Sequence, residues 1–154
     1  MNIVQKEILS LEEKEILRKL WNEEYPARLH LKTIEDFDLY LNGLSNTKHY
    51  LLFDDSNKII GWTFTFLRDG EDWFAIILDS KIQGRGNGTF LINEIKKNNV
   101  SLSGWVIDQE NEIKQNEEFY KSPMPFYIKN GFEILTDIRI ENEKMSGVKI
   151  NWKR

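Results

Sequence analysis

The 154 residues contain no cysteine. Disulfides, thiolate catalysis and cysteine-based metal sites are therefore excluded, and the chain is compatible with a reducing cytosol. A basic excess is also missing: 21 Lys and Arg stand against 25 Asp and Glu, for a formal charge of -4. The densest basic runs are Lys96-Lys97 and Lys153-Arg154, so nothing suggests a nucleic-acid partner. An acidic chain suits a small cationic substrate, but a charge this modest does not establish one. Long apolar runs are absent too. The longest, Trp73 to Leu78, is far too short to span a membrane. The first ten residues carry Lys6 and Glu7 inside their apolar stretch and do not read as a signal peptide, so the chain reads as cytoplasmic and free of membrane. The two histidines, His30 and His49, lie far apart with no carboxylate cluster between them, and no metal site is expected. There is no repeat, low-complexity tract or Pro/Gly/Ser linker.

What is present is core material. Hydrophobic residues make up 40% of the chain and aromatics 12%. That is enough for one domain spanning 1–154, and the length leaves no room for two ordinary ones.

The hydrophobic pattern gives an element order. Residues 2–9 read as a first strand. Ser10 and Glu13 form a capping box ahead of Ile16, Leu17, Leu20 and Trp21 at helical spacing, and Pro26 ends that helix. A second helix starts at Thr33, with Ile34, Phe37, Leu41 and Leu44 on one face. Three strands follow: Tyr50–Phe53, one through Trp62, Phe64 and Phe66, and residues 72–78. Leu91, Ile92 and Ile95 mark a third helix, Leu102–Ile107 a strand, Met124–Asn130 a short helix, and 132–140 and 145–152 two closing strands. In that short helix Ser122 would be the N-cap and Pro123 the first helical residue, where a missing N–H costs nothing. The order is β-α-α-β-β-β-α-β-α-β-β, a mixed sheet with helices packed on it. The exposed closing strands make a homodimer an expectation.

Chemistry concentrates in Gln83-Gly84-Arg85-Gly86-Asn87-Gly88, between an apolar strand and a helix. Glycines at alternate positions let a ligand approach the backbone closely. The first turn of the next helix offers unpaired N–H groups at its positive end. Together they make a phosphate cradle, and a pyrophosphate is the expected occupant, with Arg85 and Lys81 adding charge. A dinucleotide G-x-G-x-x-G starting at Gly84 fails because residue 89 is Thr, and no Gly-Lys-Ser/Thr closes a P-loop.

The segment Ile77 to Gly88 resembles the acetyl-CoA-binding motif of the GNAT superfamily, Gln/Arg-x-x-Gly-x-Gly/Ala, with Gln83, Gly86 and Gly88 at its defining positions. Phe126-Tyr127-Ile128-Lys129-Asn130-Gly131-Phe132 is similar to the family's Phe-Tyr-x-Lys-x-Gly-Phe signature. The element order resembles the family's over nearly the whole chain. This resemblance implies an α/β (α+β) fold with a mixed, mostly antiparallel central sheet flanked by helices. It implies an acetyl-CoA-dependent N-acetyltransferase acting on a primary amine of a small molecule, amino acid or peptide. Carried over by residue, the amides of Gln83, Gly84, Arg85, Gly86, Asn87, Gly88 and Thr89 would hold the CoA pyrophosphate. The backbone of Ile77, Leu78 and Asp79 would pair with pantetheine, with an N–H near Leu78 facing the thioester oxygen. Tyr127 would be the general acid to the leaving thiolate. The segment departs from the family where many members place an Asn; Tyr120 stands at about that position, and Pro123 replaces a small residue.

Asp72, Asp79 and Asp108 are the candidate general bases, with Asp108, at a strand end, preferred. Arg28 and His30, in the link between the first two helices, are the candidate acceptor-site residues. Trp62 and Trp105 could line a pocket, and His49 reads as structural. The alternative function is a non-catalytic acyl-CoA-binding sensor or interaction module.

Overall fold

The computed structural model describes residues 1–154. Strand β1 (Asn2–Lys6) leads to helix α1 (Leu11–Glu24), then helix α2 (Ile34–Asn42). Strands β2 (Ser45–Phe53), β3 (Ile59–Arg68) and β4 (Glu71–Leu78) follow as an antiparallel meander. Helix α3 (Asn87–Lys97), β5 (Ser101–Val106), α4 (Met124–Lys129), β6 (Glu133–Glu141) and β7 (Ser146–Lys153) complete the chain. The element order expected from the hydrophobic pattern is the one observed. All seven strands form one sheet in the order β1-β2-β3-β4-β5-β7-β6, so the apolar β4 is central. The sheet is antiparallel except at β4–β5. No helix is long and apolar enough to cross a membrane.

The local signals work as their chemistry requires. Ser10 and Glu13 exchange the two capping-box hydrogen bonds at the start of α1, and Thr33 and Asp36 do the same for α2. Tyr25, before Pro26, is extended at φ -88°, ψ 161°, which ends α1. Leu17, Leu20 and Trp21 of α1 and Phe37 of α2 pack on one face of the sheet against Leu51, Trp62 and Phe64. Leu91, Ile92 and Ile95 of α3, with Tyr127 of α4, cover the other face over Tyr50, Phe74 and Leu102.

Two strand boundaries and one helix cap differ from the expectation. β1 ends at Lys6 rather than residue 9. β2 begins at Ser45, well before Tyr50. Its first residues pair only with β3, because β1 reaches no further than the Lys6–His49 pair. They remain exposed and can be polar, so no apolar alternation marks them. Helix α4 begins at Met124, with Pro123 as N-cap. Ser122 instead donates its hydroxyl to the Ile107 carbonyl at 2.6 Å and accepts from Met124 N–H at 3.3 Å.

His49 is structural, as expected. It is 4% exposed and stacked near Trp62, whose indole N–H donates to its Nδ1 at 3.1 Å. Burial pushes its pKa down to about 4, against a small opposing pull from Glu13. The folded pKa lies below the unfolded value, about 6.5, so this contribution to stability is complete above about pH 6.5 and is lost as the pH falls toward 4. Urea unfolding at pH 7 and pH 4.5 should show a stability loss about 2–3 kcal/mol larger in the wild type than in His49→Gln.

Candidate active site

The site begins where the sheet splits. β4 and β5 run parallel but pair only at Trp73–Ser103. Beyond that point the edge of β4 is open. Asp79 N–H donates to the Ile60 carbonyl on the β3 side. The β3–β4 ladder carries no bulge, and strand amides alternate in direction. Ile77 therefore also faces β3, while the amides of Ile76 and Leu78 face the gap. The Leu78 carbonyl on that side accepts from the Gln83 side chain at 3.0 Å.

The glycine loop closes one end of the gap. Gly84 and Gly86 have φ of +78° and +82°, a conformation that side chains with a Cβ rarely adopt. Gly86 is the N-cap of α3, and its carbonyl receives the first helical hydrogen bond, from Phe90. The amides of Gly84, Arg85, Gly86, Asn87, Gly88 and Thr89 find no acceptor in the protein. A run of free N–H groups at a helix N-terminus is an anion cradle. Gly88 is needed for a different reason: a Cβ there would lie 2.8 Å from the Phe126 ring of α4.

A cavity of about 730 Å³ runs from this loop along the open strand into the space between α1, α2 and the sheet. Ile77, Leu78, Gln83, Gly84, Gly86, Gly88, Thr89 and Tyr127 line it. Arg85, Asn87 and Asp79 sit just outside its lining. Arg85 is exposed, Asn87 turns its amide to the Ile82 carbonyl, and Asp79 caps the turn at Ser80–Ile82. Tyr127 is 6% exposed and wedged edge-on between Phe74, Phe126 and Phe132, and no protein group hydrogen-bonds its hydroxyl. Burial, with the nearby Tyr120, holds its phenol well above the ordinary tyrosine range, so it stays protonated.

Asp108, Arg28 and His30, the preferred base and acceptor-site residues read from the sequence, do not line the cavity. Asp108 is clamped by Arg139 through two bonds of 2.7 and 3.3 Å, and that guanidinium keeps its carboxyl below the usual carboxylate range. Outside the cavity lining, Asp108 has no direct route to a proton released there. Arg28 is paired with Glu112 and turned toward the carbonyls of Asn142 and Glu143. His30 is exposed. Of the other candidates, Asp72 is exposed and outside the cavity lining and Trp62 is fully buried in the core, whereas Trp105 does line the cavity.

The sequence reading missed the opposite wall. Trp21, Tyr25, Tyr40, Phe66 and Trp73 form it, with Tyr120 brought in by the segment after β5. That polar stretch is not a free loop. It bridges back to the helix link at Pro26–Lys114 and Ala27–Ile113. Glu24, at the end of α1, is the one carboxylate in the lining. It accepts from Ser80 N–H at 2.8 Å and pairs with Lys114 at 3.5 Å, which fixes it two residues past Leu78.

Solved structures similar to this chain have the same architecture. An aminoglycoside 6'-N-acetyltransferase complexed with coenzyme A superposes with a TM-score of 0.74 at 13% identity, covering 99% of this chain and 97% of its own. The GNAT fold is the fold of this chain. An aminoglycoside 6'-N-acetyltransferase from Enterococcus faecium matches at 0.69 and 16% identity, covering 99% and 97%. A spermidine N-acetyltransferase from Vibrio cholerae matches at 0.65 and 14%, covering 99% and 95%. No protein-family model matches the chain, and no curated protein matches it by sequence. Within the GNAT fold the split between β4 and β5, the free amides of residues 84–89 and the aromatic wall form one continuous site.

Proposed function

We propose that the protein is an acetyl-CoA-dependent N-acetyltransferase for a primary amine. The observation that carries this reading is the run of free amides from Gly84 to Thr89 at the mouth of an open strand edge. The coenzyme's diphosphate fits that cradle, its pantetheine arm fits the open edge of β4, and the cavity is large enough for arm and acceptor together. Structural neighbours that acetylate aminoglycosides and spermidine support the same class.

The thioester is the activated acyl donor. The amine nitrogen attacks its carbonyl carbon, the carbon–sulfur bond breaks, and the acetyl group ends on nitrogen. The amide of Ile76 faces the gap and would meet the thioester oxygen as charge gathers there, while that of Leu78, about 7 Å farther along the strand, is left to the pantetheine arm. Tyr127 gives its proton to the departing sulfur and regains one from solvent. The proton lost by the amine goes, through water, to Glu24 rather than Asp108. Glu24 lines the cavity, and its two partners hold it beside the end of β4.

Comparing two variants checks the base. Glu24→Gln should lower kcat/KM by about 10²-fold or more at pH 7, while Asp108→Asn should stay within about two-fold. The reverse result would restore Asp108. The function itself is tested by release of free thiol from acetyl-CoA across a panel of primary amines. Tight coenzyme binding with no release from any amine would favour the non-catalytic acyl-CoA sensor.

A further inference from the structure

We propose that the acceptor carries an anionic group, a carboxylate about 10 Å from the reacting amine on an apolar or aromatic body, and that Arg68 reads it. This rests on the acetyltransferase reading for the position of the amine, but not for the anion subsite itself.

The net charge of the chain suggests a cationic substrate; the cavity does not. Its lining holds one carboxylate, Glu24, already engaged by Lys114 and Ser80. Against it stand Arg68, Lys121, Lys129 and Lys144, none of which has an ion-pair partner. The three lysines are exposed, whereas Arg68 is half-buried.

Arg68 is also held in place. Its guanidinium lies 4.9 Å from the centre of the Phe66 ring and 5.1 Å from that of Trp73, both in the cavity wall. Its cross-strand neighbour, Glu71, is taken by Lys149 at 2.8 Å. A planar fork of donors, stacked and lacking a carboxylate of its own, is the arrangement that binds a carboxylate in two-point fashion. The stacking aromatics exclude water and leave the donors free.

The strand sets the length of the ligand. Trp73, beneath the guanidinium, and Ile76, whose amide faces the gap, are three residues apart on β4, about 10 Å of extended chain. The cavity wall also includes Tyr40, Phe66 and Trp105. A short peptide with a free C-terminus and an ω-amino acid share the required chemistry.

The test uses the whole protein with coenzyme A present. Binding of Gly-Gly-Phe is compared with that of its C-terminal amide, and 8-aminooctanoate with 8-aminooctanamide, by calorimetry. At least one acid should bind about 10- to 100-fold more tightly than its amide. Arg68→Gln should abolish the difference, Arg68→Lys should restore only part of it, and all variants should bind coenzyme A like the wild type. A preference in the first pair alone would identify the peptide source, and in the second alone the ω-amino acid. Equal binding of acid and amide in both pairs, a preference that survives Arg68→Gln, or no binding of any probe would overturn the proposal. Thiol release is measured separately. If it is absent while the acid preference stands, the acetyl-transfer reading fails and the anion subsite remains.

Discussion

Gly86→Val should weaken coenzyme A binding by about 100-fold or more while leaving the protein folded. Gly86 has φ +82° and nothing lies within 4 Å of a Cβ built there. The substitution therefore meets no core atom. Its cost is the left-handed backbone, which a β-branched residue resists by about 1–2 kcal/mol, and the added methyls stand where a phosphate would approach. Both effects fall on the cradle. Calorimetry measures the affinity and thermal melting the fold; loss of binding with a melting temperature within a few degrees of wild type is the expected pair. Gly88→Val fails differently. Its Cβ would lie 2.8 Å from Phe126, so α4 must move and the melting temperature should drop as well. If Gly86→Val binds normally, the amides are not the cradle.

Tyr127→Phe should lower kcat by about 10²- to 10⁴-fold and leave the affinity for coenzyme A nearly unchanged. The hydroxyl has no protein partner to lose, and the ring, packed against Phe74, Phe126 and Phe132, keeps its place. Burial and Tyr120 hold the phenol above its ordinary range. An acid must be protonated to act, and a raised pKa keeps it so to higher pH. The alkaline fall in wild-type turnover should therefore begin above about pH 10, the ordinary tyrosine value, rather than below it. Tyr120 is the necessary comparison, because it shares the cavity and is also raised by burial, with Glu24 adding to the shift. If Tyr120→Phe carries the larger loss in kcat, the donor is Tyr120.

The parts of this site legible in the sequence are those encoded locally. A capping box spans three residues and a glycine loop six, so Ser10, Thr33 and Gly84–Gly88 announce themselves. The apolar run Trp73–Leu78 marks a strand buried on both faces, and β4 is central. Partners distant in the chain were not legible. Asp108 looks like a base at a strand end until Arg139, from β6, closes on it. Arg28 looks like a substrate ligand until the segment after β5 delivers Glu112. Glu24 looks like an ordinary helix-end carboxylate until the chain returns Ser80 and Lys114 to it. Arg68 and Trp73 flank the turn between β3 and β4, and together they face a cavity whose opposite wall comes from α1 and α2. The net charge says little about the site for the same reason: it sums a surface, while the cavity samples a handful of side chains.

The most direct measurement is a titration of ¹⁵N-labelled protein with coenzyme A, followed through the amide resonances of residues 84–89. Hydrogen bonds to phosphate oxygens should move the signals of Gly84, Gly86, Gly88 and Thr89 downfield together, saturating at one equivalent, with smaller shifts at Ile76 and Leu78. Coenzyme binding that leaves those glycine amides unmoved, or no binding at millimolar coenzyme, would contradict the account.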